Sequence, residues 1–151
     1  MTADPLGVLV VEDNRGDVRL IEEGIEESPV ACSPTFLTDG EGALEELDRR
    51  IAATEGLPDL LLLDLNVPKR DGREILAAIR AEAGFDPLAV VILSGSGADN
   101  YVQETYDLGA DGYFVKPADP HAFIDLIDEL VTGVADGRVP AGRFAEFDSA
   151  S

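Results

Sequence analysis

Four short, uninterrupted apolar runs, each followed by a polar residue, constrain the fold of this chain most. They lack the alternation of a half-exposed strand, which is typical of strands covered by helices on both faces. The runs are 6–11 before Glu12 and Asp13, 60–63 before Asp64, 90–93 before Ser94, and 113–115 before Lys116. A fifth candidate, 35–37, lies beside Pro34, which is tolerated mainly in an edge strand.

Amphipathic segments separate these runs and predict five helices. Each carries apolar residues at helical spacing, and Asp119 before Pro120 is typical of a helix start. The predicted helices span residues 17–27, 40–54, 73–83, 100–108 and 120–132. The order (βα)₅ predicts an α/β domain with a mostly parallel sheet and right-handed crossovers.

The 151 residues suit one folded domain, which we place at residues 1–133. Residues 134–151 contain Gly137, Pro140 and Gly142 and end in a serine-rich stretch. This composition indicates a flexible tail, or one docked through Phe144 or Phe147. The segment is too short for an output domain.

The formal net charge of −20 excludes several classes of partner. Nucleic acids and anionic membranes need a surplus of Lys and Arg, so we expect neither as a partner. Only Lys69 and Lys116 are lysines, against nine arginines, and such an acidic, lysine-poor surface indicates a halophilic protein. Cys32 is the only cysteine, and we find neither a signal peptide nor a membrane span. These features favour a cytoplasmic protein.

The polar residues at the ends of the runs predict one site. In an open α/β sheet, ligands bind beyond the carboxyl ends of the strands. Glu12, Asp13, Asp64, Ser94 and Lys116 therefore converge on one rim of the predicted sheet. Three carboxylates need a cation between them, and hard oxygen ligands favour Mg²⁺, with Mn²⁺ as the alternative. A carboxylate beside such an ion can accept a phosphoryl group.

In four blocks the chain resembles the response-regulator receiver family of two-component phosphorelays. The blocks are Glu12-Asp13-Asn14, Leu62-Leu63-Asp64-Leu65-Asn66-Val67-Pro68, Ile92-Leu93-Ser94-Gly95 and Tyr113-Phe114-Val115-Lys116-Pro117. The second continues as Lys69-Arg70-Asp71-Gly72, and the resemblance covers residues 6–132. The first two blocks resemble those of stand-alone regulators that pair with phytochrome-type sensor kinases. The resemblance implies a flavodoxin-like doubly wound sheet of strand order 2-1-3-4-5.

The resemblance also implies a role for each site residue. Asp64 is the phosphoacceptor and takes its phosphoryl group from a histidine kinase. The implied Mg²⁺ ligands are Asp13, Asp64, the backbone carbonyl of Asn66 and, through water, Glu12. Ser94 and Lys116 bind the phosphoryl group, Tyr113 is the aromatic switch residue, and the bond from Lys116 to Pro117 is cis. The face from the fourth to the fifth helix, 99–131, binds a downstream protein or a second copy, its Tyr113 ring turning inward on phosphorylation.

Three alternatives remain open. One is a degenerate receiver that acts as a constitutive binding module, although the complete residue set argues against it. Another is a Mg²⁺-dependent phosphatase of the haloacid dehalogenase type, which would need a second Asp where this chain has Asn66. The third is a flavin-binding module, which would need a Ser/Thr-rich loop where Glu12 and Asp13 stand.

Overall fold

The computed structural model of the protein describes residues 5–53, 56–67, 71–95 and 99–137, with only the backbone described for 99–101. Five strands lie within these ranges. They are β1 (Leu6–Val11), β2 (Cys32–Leu37), β3 (Leu60–Leu63), β4 (Ala89–Ser94) and β5 (Gly112–Val115).

All strand pairs are parallel, and the sheet order is β2-β1-β3-β4-β5. The predicted parallel fold and strand order are therefore confirmed. The predicted edge position of the proline-containing strand is also confirmed, because β2 pairs with β1 alone. Pro34 lies inside β2 rather than beside it, opposite Val8. An edge strand accommodates the missing N–H because its outer side has no strand to pair with.

Five α-helices alternate with the strands, as predicted. They are α1 (Arg15–Glu27), α2 (Gly40–Ala52), α3 (Gly72–Ala81), α4 (Asp99–Asp107) and α5 (Pro120–Ala135), with a short 3₁₀ turn at Ala83–Phe85. The Asp119 side chain accepts from the Ala122 N–H at 2.9 Å, which confirms the predicted cap of α5. Three of the ten predicted helix ends coincide with the observed ones, and the other seven differ by one to three residues, because fraying and capping blur a boundary that periodicity alone defines.

Two hydrophobic clusters cover the two faces of the sheet. On one face Leu9 and Leu61 pack with buried residues of α2, α3 and α4. On the other face Val8 and Leu62 pack with buried residues of α1 and α5. Successive strand residues point to opposite faces, so a strand buried on both sides needs an unbroken apolar run. This packing explains the sequence pattern from which the fold was predicted.

The boundary of the predicted tail differs slightly from the structure. α5 continues to Ala135 because Val134 is partly buried against the hydrophobic cluster beneath α1 and α5. Residues 138–151, including Phe144 and Phe147, lie outside the described residues. In the part of the chain that the structure describes, no helix is both long and apolar enough to cross a bilayer.

Candidate phosphoryl and metal site

The carboxyl ends of four adjacent strands bring the predicted site residues to one rim. Glu12 follows β1, Asp64 follows β3, Ser94 ends β4 and Lys116 follows β5. The strand ladder continues into the rim, since the Asp64 N–H donates to the Val11 carbonyl at 3.1 Å and the Lys116 N–H donates to the Ser94 carbonyl at 2.8 Å. The sheet itself therefore fixes the backbone of the site.

Three carboxylates form the acidic part of the rim. Glu12, Asp13 and Asp64 each place one carboxylate oxygen within 4.8 Å of the other two. Glu12 and Asp64 are buried, whereas Asp13 is exposed. The group is therefore closed towards the sheet and open to solvent on the Asp13 side.

Lys116 neutralises part of this charge through three contacts. Its Nζ lies 2.7 Å from Glu12 Oε1, 2.8 Å from Asp17 Oδ2 and 2.9 Å from Asp64 Oδ2. An ammonium has three N–H donors, so these three carboxylates can occupy all of them. Lys116 is the cation that joins β1, β3 and α1 at the site.

Burial and neighbouring charges shift the protonation of this group. Burial raises the pKa of Glu12 to about 7, and the Asp64 charge adds to the rise against the lowering effects of Lys116 and the Asn14 N–H. Burial acts to lower the pKa of Lys116, but its hydrogen bonds to Asp17, Glu12 and Asp64 outweigh that effect and raise it. Lys116 therefore stays charged, and one ammonium leaves Glu12 only partly compensated. A further cation would favour the ionised form of Glu12.

The loop after β3 holds the Asp64 carboxylate in place. Asp64 Oδ1 accepts from the Asn66 N–H at 3.0 Å, while Oδ2 faces Lys116. At the start of α3, the Gly72 N–H donates to the Leu65 carbonyl at 3.1 Å. A Cβ on Gly72 would lie 2.8 Å from the Asp64 carbonyl oxygen and 2.6 Å from Leu65 Cα, so only glycine fits this close approach.

Asp17 belongs to the site, and sequence reasoning missed it. It is the third residue of α1, after the N-cap Asn14, whose Oδ1 accepts from the Asp17 N–H at 2.9 Å. In a capping box, the side chain at this position would return to the N-cap N–H. Here the Asn14 N–H donates to Glu12 Oε2 at 3.1 Å, and the Asp17 carboxylate binds Lys116 instead. An acidic residue at that helix position was the available sequence signal.

Two expectations about the site need correction. Tyr113 is fully buried and packs in the cluster beneath α3 and α4, so its ring does not start from the outward position that we expected. Its large, mostly apolar ring is stabilised by that burial. No peptide bond among the described residues is cis, so the bond from Lys116 to Pro117 is trans. Trans is the intrinsically preferred form even before proline. With this bond trans, Lys116 makes all three of its carboxylate contacts.

Comparison with known proteins identifies the family. The sequence model of the family described as the response regulator receiver domain matches residues 8–128 of this chain. The chain belongs to the response regulator receiver family. The match includes residues of all five strands and every site residue described above. The predicted family is therefore confirmed, and the protein is a receiver domain of the kind used in two-component signalling.

Individual receivers of known structure or curated function are also similar to this chain. Response regulator Rcp1 of Synechocystis sp. is 35% identical over 113 residues, which cover 74% of this chain and 77% of Rcp1. The phosphorylated cyanobacterial phytochrome response regulator RcpA is 33% identical, with a TM-score of 0.81, and the match covers 89% of this chain and 96% of RcpA. The Mn²⁺-bound form of Rcp1 is 31% identical with a TM-score of 0.77, covering 85% of this chain and 93% of that one. The predicted resemblance to phytochrome-associated regulators is thus confirmed.

Proposed function

We propose that this receiver takes a phosphoryl group on Asp64 from a phosphohistidine of a sensor histidine kinase. The observation that carries the proposal is the Asp64 carboxylate, which is buried at the rim and lies 2.9 Å from Lys116 Nζ. Glu12 and Asp13 complete an acidic group around it. A nucleophile, a fixed cation and a set of metal ligands are the parts that phosphoryl transfer needs. Because RcpA is a phytochrome response regulator, a phytochrome-type kinase is the first donor to test.

The proposed transfer is a substitution at phosphorus. One oxygen of the Asp64 carboxylate forms the new O–P bond while the P–N bond to the donor imidazole breaks. The imidazole keeps the electron pair of that bond and is protonated from solvent. Lys116 offsets the charge on the phosphoryl oxygens, and the buried Ser94 hydroxyl at the end of β4 donates to one of them.

The residues at the rim also fit a divalent cation. Hard carboxylate oxygens favour Mg²⁺ or Mn²⁺. Lys116 compensates the charge of Glu12 only in part, so a further cation would stabilise the ionised carboxylate. We propose Asp13, Asp64 and the Asn66 carbonyl as direct ligands, with Glu12 acting through water. When bound, the ion would neutralise charge between the carboxylates and the phosphoryl group. The Mn²⁺-bound form of Rcp1 supports a divalent cation in this family.

Labelling with a small phosphoryl donor tests the proposed function. The protein is incubated with acetyl phosphate and Mg²⁺, and its intact mass is measured before and after. We expect a gain of one phosphoryl group, located by peptide mapping in the segment that contains Asp64, and no gain when the metal is removed with a chelator. No gain in the presence of Mg²⁺, or a label in another segment, would contradict the proposal.

Asp13→Asn is expected to weaken Mg²⁺ binding more than Glu12→Gln does. Asp13 is exposed on the open side of the acidic group, where an ion can enter, whereas Glu12 is buried and already paired with Lys116. Altering a residue that only supports a metal ligand typically lowers metal affinity by about 10–100-fold. Loss of a direct anionic ligand should lower Mg²⁺ affinity by at least that much. Mg²⁺ titration by calorimetry measures both variants. An equal or larger loss in Glu12→Gln would reverse the two assignments.

We further propose that the state of Asp64 is read at the face formed by α4, β5 and α5. Arg73 supports a connection, because it donates to Asp71, the N-cap of α3, and to Glu104 of α4 at 2.8 Å. The start of α3, whose Gly72 N–H binds the carbonyl of Leu65 next to Asp64, is thereby joined to α4. A downstream protein or a second copy of the chain is the proposed reader. The charge of −20 argues against nucleic acid or an anionic membrane in that role.

A further inference from the structure

In the unphosphorylated protein, three carboxylates already occupy the three N–H donors of Lys116. Glu12, Asp17 and Asp64 lie 2.7, 2.8 and 2.9 Å from Nζ, and the ammonium has no fourth N–H. If Asp64 accepts a phosphoryl group, as the proposed function requires, the single carboxylate charge beside Lys116 is replaced by a phosphoryl group with three terminal oxygens and more negative charge. Lys116 can donate a second N–H to this group only if it releases Glu12 or Asp17.

The three carboxylates differ in what they lose if Lys116 leaves them. The Glu12 side chain is only 2% exposed, so without its cation it would be a buried and uncompensated charge. Asp64 is also buried, and it carries the phosphoryl group, so Lys116 stays near it in any case. The Asp17 side chain is 25% exposed, and water can replace the ammonium there. Asp17 is therefore the partner that Lys116 can leave at least cost.

We infer that Asp17 is a positioning residue that competes with the phosphoryl group for Lys116. In the unphosphorylated protein, Asp17 holds part of the Lys116 charge at the start of α1. On phosphorylation Lys116 exchanges Asp17 for a phosphoryl oxygen, and Asp17 turns to solvent. The contact stabilises the unphosphorylated state alone, so Asp17 lowers the affinity of the site for a phosphoryl group.

Beryllofluoride, which mimics the phosphoryl group in the presence of Mg²⁺, tests this competition. Asp17→Asn and Asp17→Ala should bind it about 3- to 10-fold more tightly than wild type, since each removes one charged competitor. Glu22→Gln is the matched control, because Glu22 is an exposed acid on the same helix and its loss changes net charge equally. We expect that control to stay within about twofold of wild type. Each titration is repeated in about 1 M KCl, where charges separated by more than about 3 Å are screened.

A carboxyl-carbon NMR signal reports the exchange directly. In wild type saturated with Mg²⁺ and beryllofluoride, the Asp17 signal should move towards that of the exposed Asp48, relative to Mg²⁺ alone. An Asp17 signal unchanged by beryllofluoride would overturn the inference. The inference would also be wrong if both Asp17 variants bound beryllofluoride no more tightly than wild type, or if the gain disappeared in KCl, which would indicate general repulsion.

These outcomes are separable from failure of the proposed function. A wild-type protein that binds no beryllofluoride and takes no label from acetyl phosphate would overturn the function, and the role of Asp17 with it. Wild-type labelling at Asp64 combined with unchanged affinity in Asp17→Ala would overturn only the role of Asp17.

Discussion

Asp64→Asn is expected to abolish phosphoryl acceptance from both acetyl phosphate and a phosphorylated histidine kinase. The amide has neither the charge nor the nucleophilic oxygen of the carboxylate. Among the described residues, Glu12 is the one other buried carboxylate that contacts Lys116. Glu12 is a poor substitute because its side chain is only 2% exposed and burial raises its pKa to about 7, which disfavours the ionised, nucleophilic form. Intact mass after incubation with the donor and Mg²⁺ measures the effect.

The folded structure of this variant should be preserved. An asparagine oxygen can still accept from the Asn66 N–H, which binds Asp64 Oδ1 at 3.0 Å. Loss of the Asp64 charge also removes one of the causes that raise the pKa of Glu12. Asp48→Asn, at an exposed position of α2, is the control and should label as wild type does. Labelling of Asp64→Asn at the wild-type level would place the acceptor elsewhere.

The fold was predictable because its main determinant is a pattern of burial. Runs such as 60–63 and 90–93 are apolar without interruption because helices cover both faces of the sheet. The same logic predicted the site, since polar residues directly after parallel strands meet at one rim. Glu12, Asp64, Ser94 and Lys116 needed only the strand ends and the strand order to be placed together.

Features that depend on side-chain direction were not predictable in this way. From the sequence alone, Asp17 is an ordinary acidic residue in the first turn of a helix. Its side chain contacts Lys116 rather than the Asn14 N–H, because that N–H donates to Glu12. Tyr113 illustrates the same limit, because its side chain has more than one staggered rotamer, and packing in the cluster beneath α3 and α4 selects a buried one. Sequence spacing defines the backbone position, whereas the neighbours in space select the rotamer.

Arg80 is a charged residue whose guanidinium holds several backbone segments together through hydrogen bonds. Its guanidinium donates to the carbonyls of Gly109, Phe85 and Leu88 at 2.9, 3.2 and 2.9 Å and to Asp111 Oδ2 at 2.8 Å. Asp111 Oδ2 also accepts from the Val90 N–H at 2.9 Å. Arg80 therefore ties α3 to the amino ends of β4 and β5, the strands whose other ends carry Ser94 and Lys116. Gly109, with φ of +107°, leaves the room, since a Cβ there would lie 2.6 Å from Arg80 Cγ.

Arg80→Met is accordingly expected to lower the free energy of unfolding by about 2–3 kcal/mol, because Arg80 and Asp111 are 18% and 33% exposed and water offsets part of the lost hydrogen bonding. Methionine keeps much of the packing but leaves three carbonyls and the Asp111 carboxylate without their shared donor. Arg80→Lys should recover only part of the loss, because one ammonium cannot span four acceptors in the planar geometry of a guanidinium. Urea unfolding followed by circular dichroism measures the change. Arg19→Met, at an exposed position of α1, should cost less than about 1 kcal/mol. A loss in Arg80→Met as small as that of Arg19→Met would show that water replaces the guanidinium and that Arg80 is not the support described here.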